Sequence, residues 1–196
     1  MVTSWTGKLR ISILSSCSHC LKHLFFISYN FHRVFANAAV AKFVPFELVD
    51  EEQFDDTFNT NAKGVYFLIQ KLLPVLKDGS SIVLNGSVVA YTGNPATSVY
   101  SATKAAINSF AKTLSRDLLS RKIRVNVVNP GPIDTPGLGK IGMDAEIIKG
   151  AMAAQNPLGR IGTPDEITGY VAFLLSDKSS FILGTELTIS GGAGQL

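Results

Sequence analysis

Tyr100 and Lys104 stand four residues apart in a stretch that reads as one helix, so their side chains leave the same face one turn apart. That spacing has a chemical use. A free phenol ionises at about 10, too high for efficient proton exchange at neutral pH, and a neighbouring ammonium favours the phenolate. Taken alone the spacing is weak, because 5 tyrosines and 12 lysines in 196 residues give roughly 0.3 such pairs by chance. The plain alternative is an exposed helix pair. Context adds to it: Ser87 follows an apolar run at 81–84 and precedes Tyr100 by thirteen residues. In open parallel sheets ligands bind beyond the carboxyl ends of strands, where a serine can donate a hydrogen bond to a carbonyl oxygen. Asn61 is a poor helix former inside a predicted helix, and its plain reading is a surface or kink asparagine. Asn37 closes the first recognisable strand, and Pro130-Gly131-Pro132-Ile133-Asp134-Thr135 closes the third. Three strand ends thus carry polar or turn-forming residues that one crevice could collect.

The elements that must position these residues follow from periodicity and punctuation. Residues 34–38 read as the end of a buried strand. Asp50 followed by Gln53 has the spacing of a helix cap, and Phe54, Phe58, Val65, Leu68, Leu72 and Leu76 then recur at helical intervals, which predicts a long helix over 51–76. Asp78-Gly79-Ser80 is turn chemistry, and residues 81–84 read as a strand buried on both faces. A second helix is predicted over 98–119, with Ala102, Ala105, Ala106, Phe110, Leu114 and Leu118 on its apolar side. The β-branched run 123–128 predicts a strand that Pro130-Gly131-Pro132 ends. A loop holding Gly137, Gly139 and Gly142 precedes a weaker helix over 144–154. Thr163 at a cap with Pro164 in the first turn starts a helix running to Leu175, and a last strand covers 186–189. Strands alternating with helices argue for an α/β, doubly wound parallel sheet covered on both faces.

Composition narrows the classes. A chain of 196 residues that is 46% hydrophobic has apolar material for one core. The net charge of +3 is spread along the sequence, with no basic run to track a phosphate backbone, so nucleic acid is not indicated. Cys17 and Cys20 are too close to frame a disulfide scaffold, which makes a reducing compartment, the cytoplasm, the expectation. Together with His19 and His23 they could be read as zinc ligands, but no second ligand pair exists, so no metal is expected. Residues 1–33 lack a clean period; their apolar stretches are too short for an export signal and too interrupted to span a bilayer.

Taken together, order and spacing resemble the short-chain dehydrogenase/reductase family in its classical form, over about 34–192. Asn37-Ala38-Ala39 is similar to the family's Asn-Ala-Gly motif; Asn61, Ser87, Tyr100 and Lys104 are similar to its catalytic tetrad; Asn129-Pro130-Gly131 with Ile133 and Thr135 is similar to the segment that meets the nicotinamide. The resemblance implies a Rossmann-like fold truncated at its N-terminal half. On that reading residues 34–196 form the catalytic portion and 1–33 are an atypical segment replacing the first βαβ elements. It also implies roles: Tyr100 as proton donor to a carbonyl or acceptor from an alcohol, Lys104 lowering the phenol's pKa and holding the nicotinamide ribose, Ser87 polarising the substrate oxygen, and Asn61 anchoring a water that links Lys104 to solvent. Asn37, Ala38, Ala39, Tyr100, Lys104, Pro130, Gly131, Ile133 and Thr135 would contact NAD or NADP. A small carbonyl or alcohol is the implied substrate, and the helices over 51–76 and 98–119 resemble those through which the family self-associates into homo-oligomers.

Two departures stand against the resemblance. Before Asn37 the only glycine is Gly7, so no glycine-rich turn cradles a pyrophosphate and no residue selects NAD over NADP. Ala39 replaces the motif's glycine. The edge strand near Val34 then needs a cover, for which residues 10–14 and 23–29 are β-prone enough. Two functions are therefore expected to compete: an NAD(P)-linked oxidoreductase, and a binding or oligomer-modulating protein derived from one that cannot hold the dinucleotide.

Overall fold

The structure, a computed structural model, describes residues 31–135, 138 and 145–196. Four parallel strands lie in the order β1 (Phe31–Ala36), β2 (Leu76–Asn85), β3 (Arg124–Pro130) and β4 (Glu186–Ile189). Sequential strands are neighbours, and each pair is joined through helical segments, as parallel pairing requires. Helices α1 (Glu51–Phe58) and α2 (Gly64–Leu72) follow β1; α3 (Ser98–Asp117) follows β2; α4 (Ala145–Ala154) and α5 (Pro164–Leu175) follow β3.

Alternation along the strands builds two cores. Val34, Ile82, Leu84, Val125 and Val127 face Val65, Ile69 and Leu72 of α2 and Ile107 and Ala111 of α3. Val83 and Val128 point the other way, against Ile167, Val171 and Leu174 of α5. Helices therefore cover both faces of the sheet, the arrangement that buries residues 80–84 of β2 and 125–129 of β3.

Local signals account for most boundaries. Asp50 caps α1 by accepting from the Gln53 amide at 2.7 Å. Pro164 opens α5, where Glu166 reaches back to the Thr163 amide at 2.9 Å and is gripped by Arg160. Three expectations change. The turn chemistry at Asp78-Gly79-Ser80 lies inside β2: Phe31 pairs with Leu76 and Arg33 with Ser81, so the intervening residues bulge out with Gly79 at φ +79°. The single helix expected over 51–76 is divided by a π-turn, Asn59–Lys63, whose extra residue shifts the helical phase. Phe54 is left exposed while Thr57, Asn61 and Ala62 turn inward.

The third change concerns α3. Its buried face carries Val99, Thr103, Lys104, Ile107, Asn108, Ala111 and Ser115, whereas Ala102 and Ala105 are exposed. Burial of these side chains is tolerated because each makes at least one hydrogen bond, although the Asn108 Oδ1 is left without one; Ser115, for example, donates to the Val125 carbonyl at 2.7 Å. The segments 10–14 and 23–29, the four Cys and His positions 17, 19, 20 and 23, and Gly137, Gly139 and Gly142 lie outside the described residues.

Candidate active site

Because the strands are parallel, β1, β2 and β3 end on one edge of the sheet, and α3 runs behind that edge. Asn37 follows β1 directly, Ser87 stands two residues beyond β2, and Gly131 follows β3. Ser87 has an extended backbone, φ −172°, and its hydroxyl oxygen caps the short 3₁₀ turn Val88–Ala90 by accepting from Val89. Burial, the larger influence, raises the pKa of the Tyr100 phenol on α3, and the neighbouring Ser87 hydroxyl, which favours the phenolate, opposes it.

Among the described residues Lys104 is the largest fully buried side chain, 2% exposed. Its ammonium lies 5.6 Å from the Tyr100 ring centre and donates to the Asn85 carbonyl at 2.8 Å. Burial lowers its pKa to about 8. The Asn85 amide in turn donates to Asn37 Oδ1 at 2.7 Å, so the ends of β1 and β2 are tied together beside the lysine. A methyl-sized group on Gly86 would meet Asn129 Oδ1 at 1.9 Å, which accounts for glycine between Asn85 and Ser87.

Asn61 sits in the π-turn, 1% exposed. Its side chain clamps Val40, accepting from the amide and donating to the carbonyl at 2.8 Å each, and its Nδ2 also donates to Thr103 Oγ1 at 3.2 Å. Thr103 donates to the Tyr100 carbonyl at 2.7 Å, so Asn61 reaches the tyrosine through the backbone of α3. Beyond the clamp, Val44 donates to the Ala96 carbonyl at 2.9 Å, and Phe43 meets the Tyr100 ring edge-on, centroids 6.1 Å apart. Gly131 donates to the Ile189 carbonyl at 3.0 Å and leaves no room for a Cβ against Ser190. Ile133 bridges to Gly162, Thr135 is exposed, and Ala38 and Ala39 lie on the loop after β1.

A family model described as enoyl-(acyl carrier protein) reductase matches residues 16–194. The chain belongs to the short-chain dehydrogenase/reductase family. Among curated relatives, an uncharacterized oxidoreductase of Methylorubrum extorquens is 40% identical over 156 residues, which cover 80% of this chain and 63% of that protein. The 3-oxoacyl-[acyl-carrier-protein] reductase FabG of Thermotoga maritima is 37% identical over 158 residues, covering 80% of this chain and 63% of that one. The chain thus spans less than two thirds of the length of these relatives. Among solved structures, a short-chain dehydrogenase family protein from Francisella tularensis superposes with a TM-score of 0.81 at 32% identity, covering 89% of this chain and 75% of that one. The angucycline C-6 ketoreductase LanV, solved with bound NADP, gives a TM-score of 0.78 at 31% identity, covering 84% of this chain and 63% of LanV.

Within this short-chain dehydrogenase/reductase, Ser87, Tyr100 and Lys104 converge, and Asn37 joins them through Asn85. Asn61 stands one layer behind. Sequence reading overlooks Thr103, Phe43 and Tyr91, and it takes Asn129 only as the start of the segment similar to the one that meets the nicotinamide. Asn129 is fully buried; its Oδ1 accepts from the Ser87 amide at 2.8 Å and its Nδ2 donates to the Tyr91 hydroxyl at 2.9 Å. Spacing could not show this, since Tyr91 and its acceptor Glu186 are 95 positions apart. An apolar depression lined by Tyr170, Phe173, Ile182 and Leu187 contains none of these residues.

Proposed function

We propose that the protein is an NAD(P)-dependent oxidoreductase acting between a carbonyl and a secondary alcohol, with Tyr100 as general acid and base. The observation that carries this reading is the buried Lys104 ammonium, 5.6 Å from the Tyr100 ring and bonded to the Asn85 carbonyl at the end of β2, with the Ser87 hydroxyl near enough to favour ionisation of the phenol. In reduction the substrate oxygen takes a hydrogen bond from Ser87 and a proton from Tyr100 Oη; in oxidation the same proton returns to the phenolate. Nicotinamide, when bound, supplies or accepts the hydride at the substrate carbon. Asn61 acts in this scheme by fixing Val40 and Thr103, and through them the loop and helix that flank Tyr100.

The residues fit the nicotinamide end of such a coenzyme. Lys104 has three N–H donors and the Asn85 carbonyl takes one, which leaves donors for a ribose hydroxyl. Asn37, Ala38, Ala39, Pro130, Gly131, Ile133 and Thr135 stand on the same edge and would line the coenzyme, NAD or NADP. That LanV was solved with NADP supports the class of cofactor. Titration with NADH and NADPH by calorimetry is expected to show micromolar binding of one of them. Absence of heat at millimolar coenzyme would favour the second reading, a binding or oligomer-modulating protein that cannot hold the dinucleotide.

Self-association through the outer faces of α2 and α3 belongs to the same proposal. Tyr66 and Phe67 of α2 are 36% and 42% exposed, Tyr66 packs against Phe110 of α3, and Ala102 and Ala105 of α3 are exposed, which leaves apolar surface suited to a second copy. Sedimentation is expected to give a dimer or larger; a monomer at micromolar concentration would remove this part.

A further inference from the structure

The Tyr91 hydroxyl stands between two amides and a carboxylate. Asn129 Nδ2 donates to it at 2.9 Å and Asn108 Nδ2 at 2.8 Å, while its own proton goes to Glu186 Oε2. Lys112 holds the other Glu186 oxygen. Burial acts to raise the pKa of that carboxyl, but the bonds from Lys112 and Tyr91 prevail and leave it below its ordinary value. An ionised carboxylate can only accept, so it sets the direction of every bond upstream.

That direction decides which way Asn129 faces. With the phenol proton committed to Glu186, the Tyr91 oxygen presents lone pairs to Asn129, which must turn its NH₂ toward Tyr91 and its carbonyl oxygen toward Ser87. There Oδ1 accepts from the Ser87 N–H at 2.8 Å. A reversed amide would set NH₂ against N–H, an unpaired arrangement in a place closed to water. The fit is close: the same Oδ1 occupies the space that a side chain on Gly86 would need.

We propose that Asn129 and Tyr91 are positioning residues for Ser87, their hydrogen-bond polarity set by the Glu186 carboxylate, so that this relay fixes the turn from which the Ser87 hydroxyl reaches Tyr100. The inference rests on reading Ser87 as the hydroxyl that meets substrate. Neither residue touches a reacting atom in it; both act through the Ser87 backbone.

Amide hydrogen exchange at Ser87, followed by nitrogen-edited NMR, tests the relay without any ligand. Tyr91 is 51% exposed, so Tyr91→Phe should fold. It is expected to accelerate Ser87 exchange about tenfold, the loss of roughly one hydrogen bond, with Val83 in β2 unchanged. Glu186→Gln, whose amide can donate back to Tyr91, is expected to act in the same direction. With ethyl acetoacetate and NADPH as probes, both variants are expected to lower kcat about tenfold and leave KM within about twofold, since geometry and not binding is altered. Unchanged Ser87 exchange in Tyr91→Phe overturns the relay whatever the turnover. Faster exchange with kcat unchanged in an active protein reduces the network to a brace and also overturns it. Faster exchange in a protein that turns over no carbonyl sustains the relay as the device that holds Ser87 and counts against the oxidoreductase reading alone.

Discussion

Tyr100→Phe is expected to lower the kcat of carbonyl reduction about a thousandfold, the middle of the range for loss of a positioned general acid. Coenzyme binding is expected to stay within about twofold, because the substitution keeps everything except the oxygen. The phenylalanine ring can retain the edge contact with Phe43, at 87° between planes, and its place 5.6 Å from the Lys104 ammonium. What disappears is the proton and the phenol oxygen whose ionisation the Ser87 hydroxyl favours. Stability should fall by no more than about 1 kcal/mol, the net value of one hydrogen bond. Ser87→Ala provides the comparison: if the two residues act on one oxygen, the double variant should be hardly slower than Tyr100→Phe alone, since groups working as a unit are not additive. Steady-state turnover of ethyl acetoacetate with NADPH is the measurement. A Tyr100→Phe protein as active as the wild type would mean that the tyrosine merely fills an α/β core.

How far such a site can be read from sequence depends on the range of the signal. The start of α5 is local: Thr163, Pro164 and Glu166 specify it within four residues, and it forms where they stand. The strand over 186–189 and the convergence of Ser87, Tyr100 and Lys104 are also legible, because a parallel sheet puts strand ends on one edge. The buried face of α3 is not. Counting apolar residues places Ala102 and Ala105 inside, whereas the helix buries Thr103, Lys104, Asn108 and Ser115. A helix that lies over a polar crevice buries groups with partners, and periodicity of hydrophobicity has no knowledge of partners. Lys104 finds the Asn85 carbonyl, Thr103 finds Asn61, Asn108 finds Tyr91. The π-turn escapes for a related reason: one extra residue at Asn59–Lys63 rotates Asn61 inward, and only the clamp on Val40 explains why that rotation is favourable. The Tyr91–Glu186 contact joins a turn after β2 to the start of β4, and no spacing rule spans such a separation.

Lys104→Met is expected to abolish turnover and, near pH 7, to make the protein more stable. Burial alone lowers the Lys104 pKa from its ordinary 10.5 to about 8. Between those values the unfolded chain holds a proton that the native one has lost, so stability rises with pH across the window. Below about pH 8 both states carry the charge and the native state bears the full penalty of burying it, about 3 kcal/mol from the linkage of the two values. Above about 10.5 both are neutral and the penalty is gone. Methionine fills a similar volume with a flexible apolar chain and carries no charge to desolvate. The substitution strands the Asn85 carbonyl, which accepts the lysine's bond at 2.8 Å, and that costs about 1 kcal/mol. The balance is a gain of about 2 kcal/mol, or roughly 4–8 °C in Tm for a chain of this size. Thermal melts at pH 7 and pH 10 separate this account from a structural role. The advantage of Lys104→Met should shrink by more than half at pH 10, as the wild-type lysine loses its proton in the native state. A variant less stable than wild type at pH 7, by a margin that pH does not alter, would mean that the ammonium is held by compensating partners and that Lys104 is a brace for β2. A stabilised protein without turnover would identify the buried ammonium as a group retained for its chemistry against the interest of the fold, since nothing in the packing of α3 on β2 requires a charge at that position.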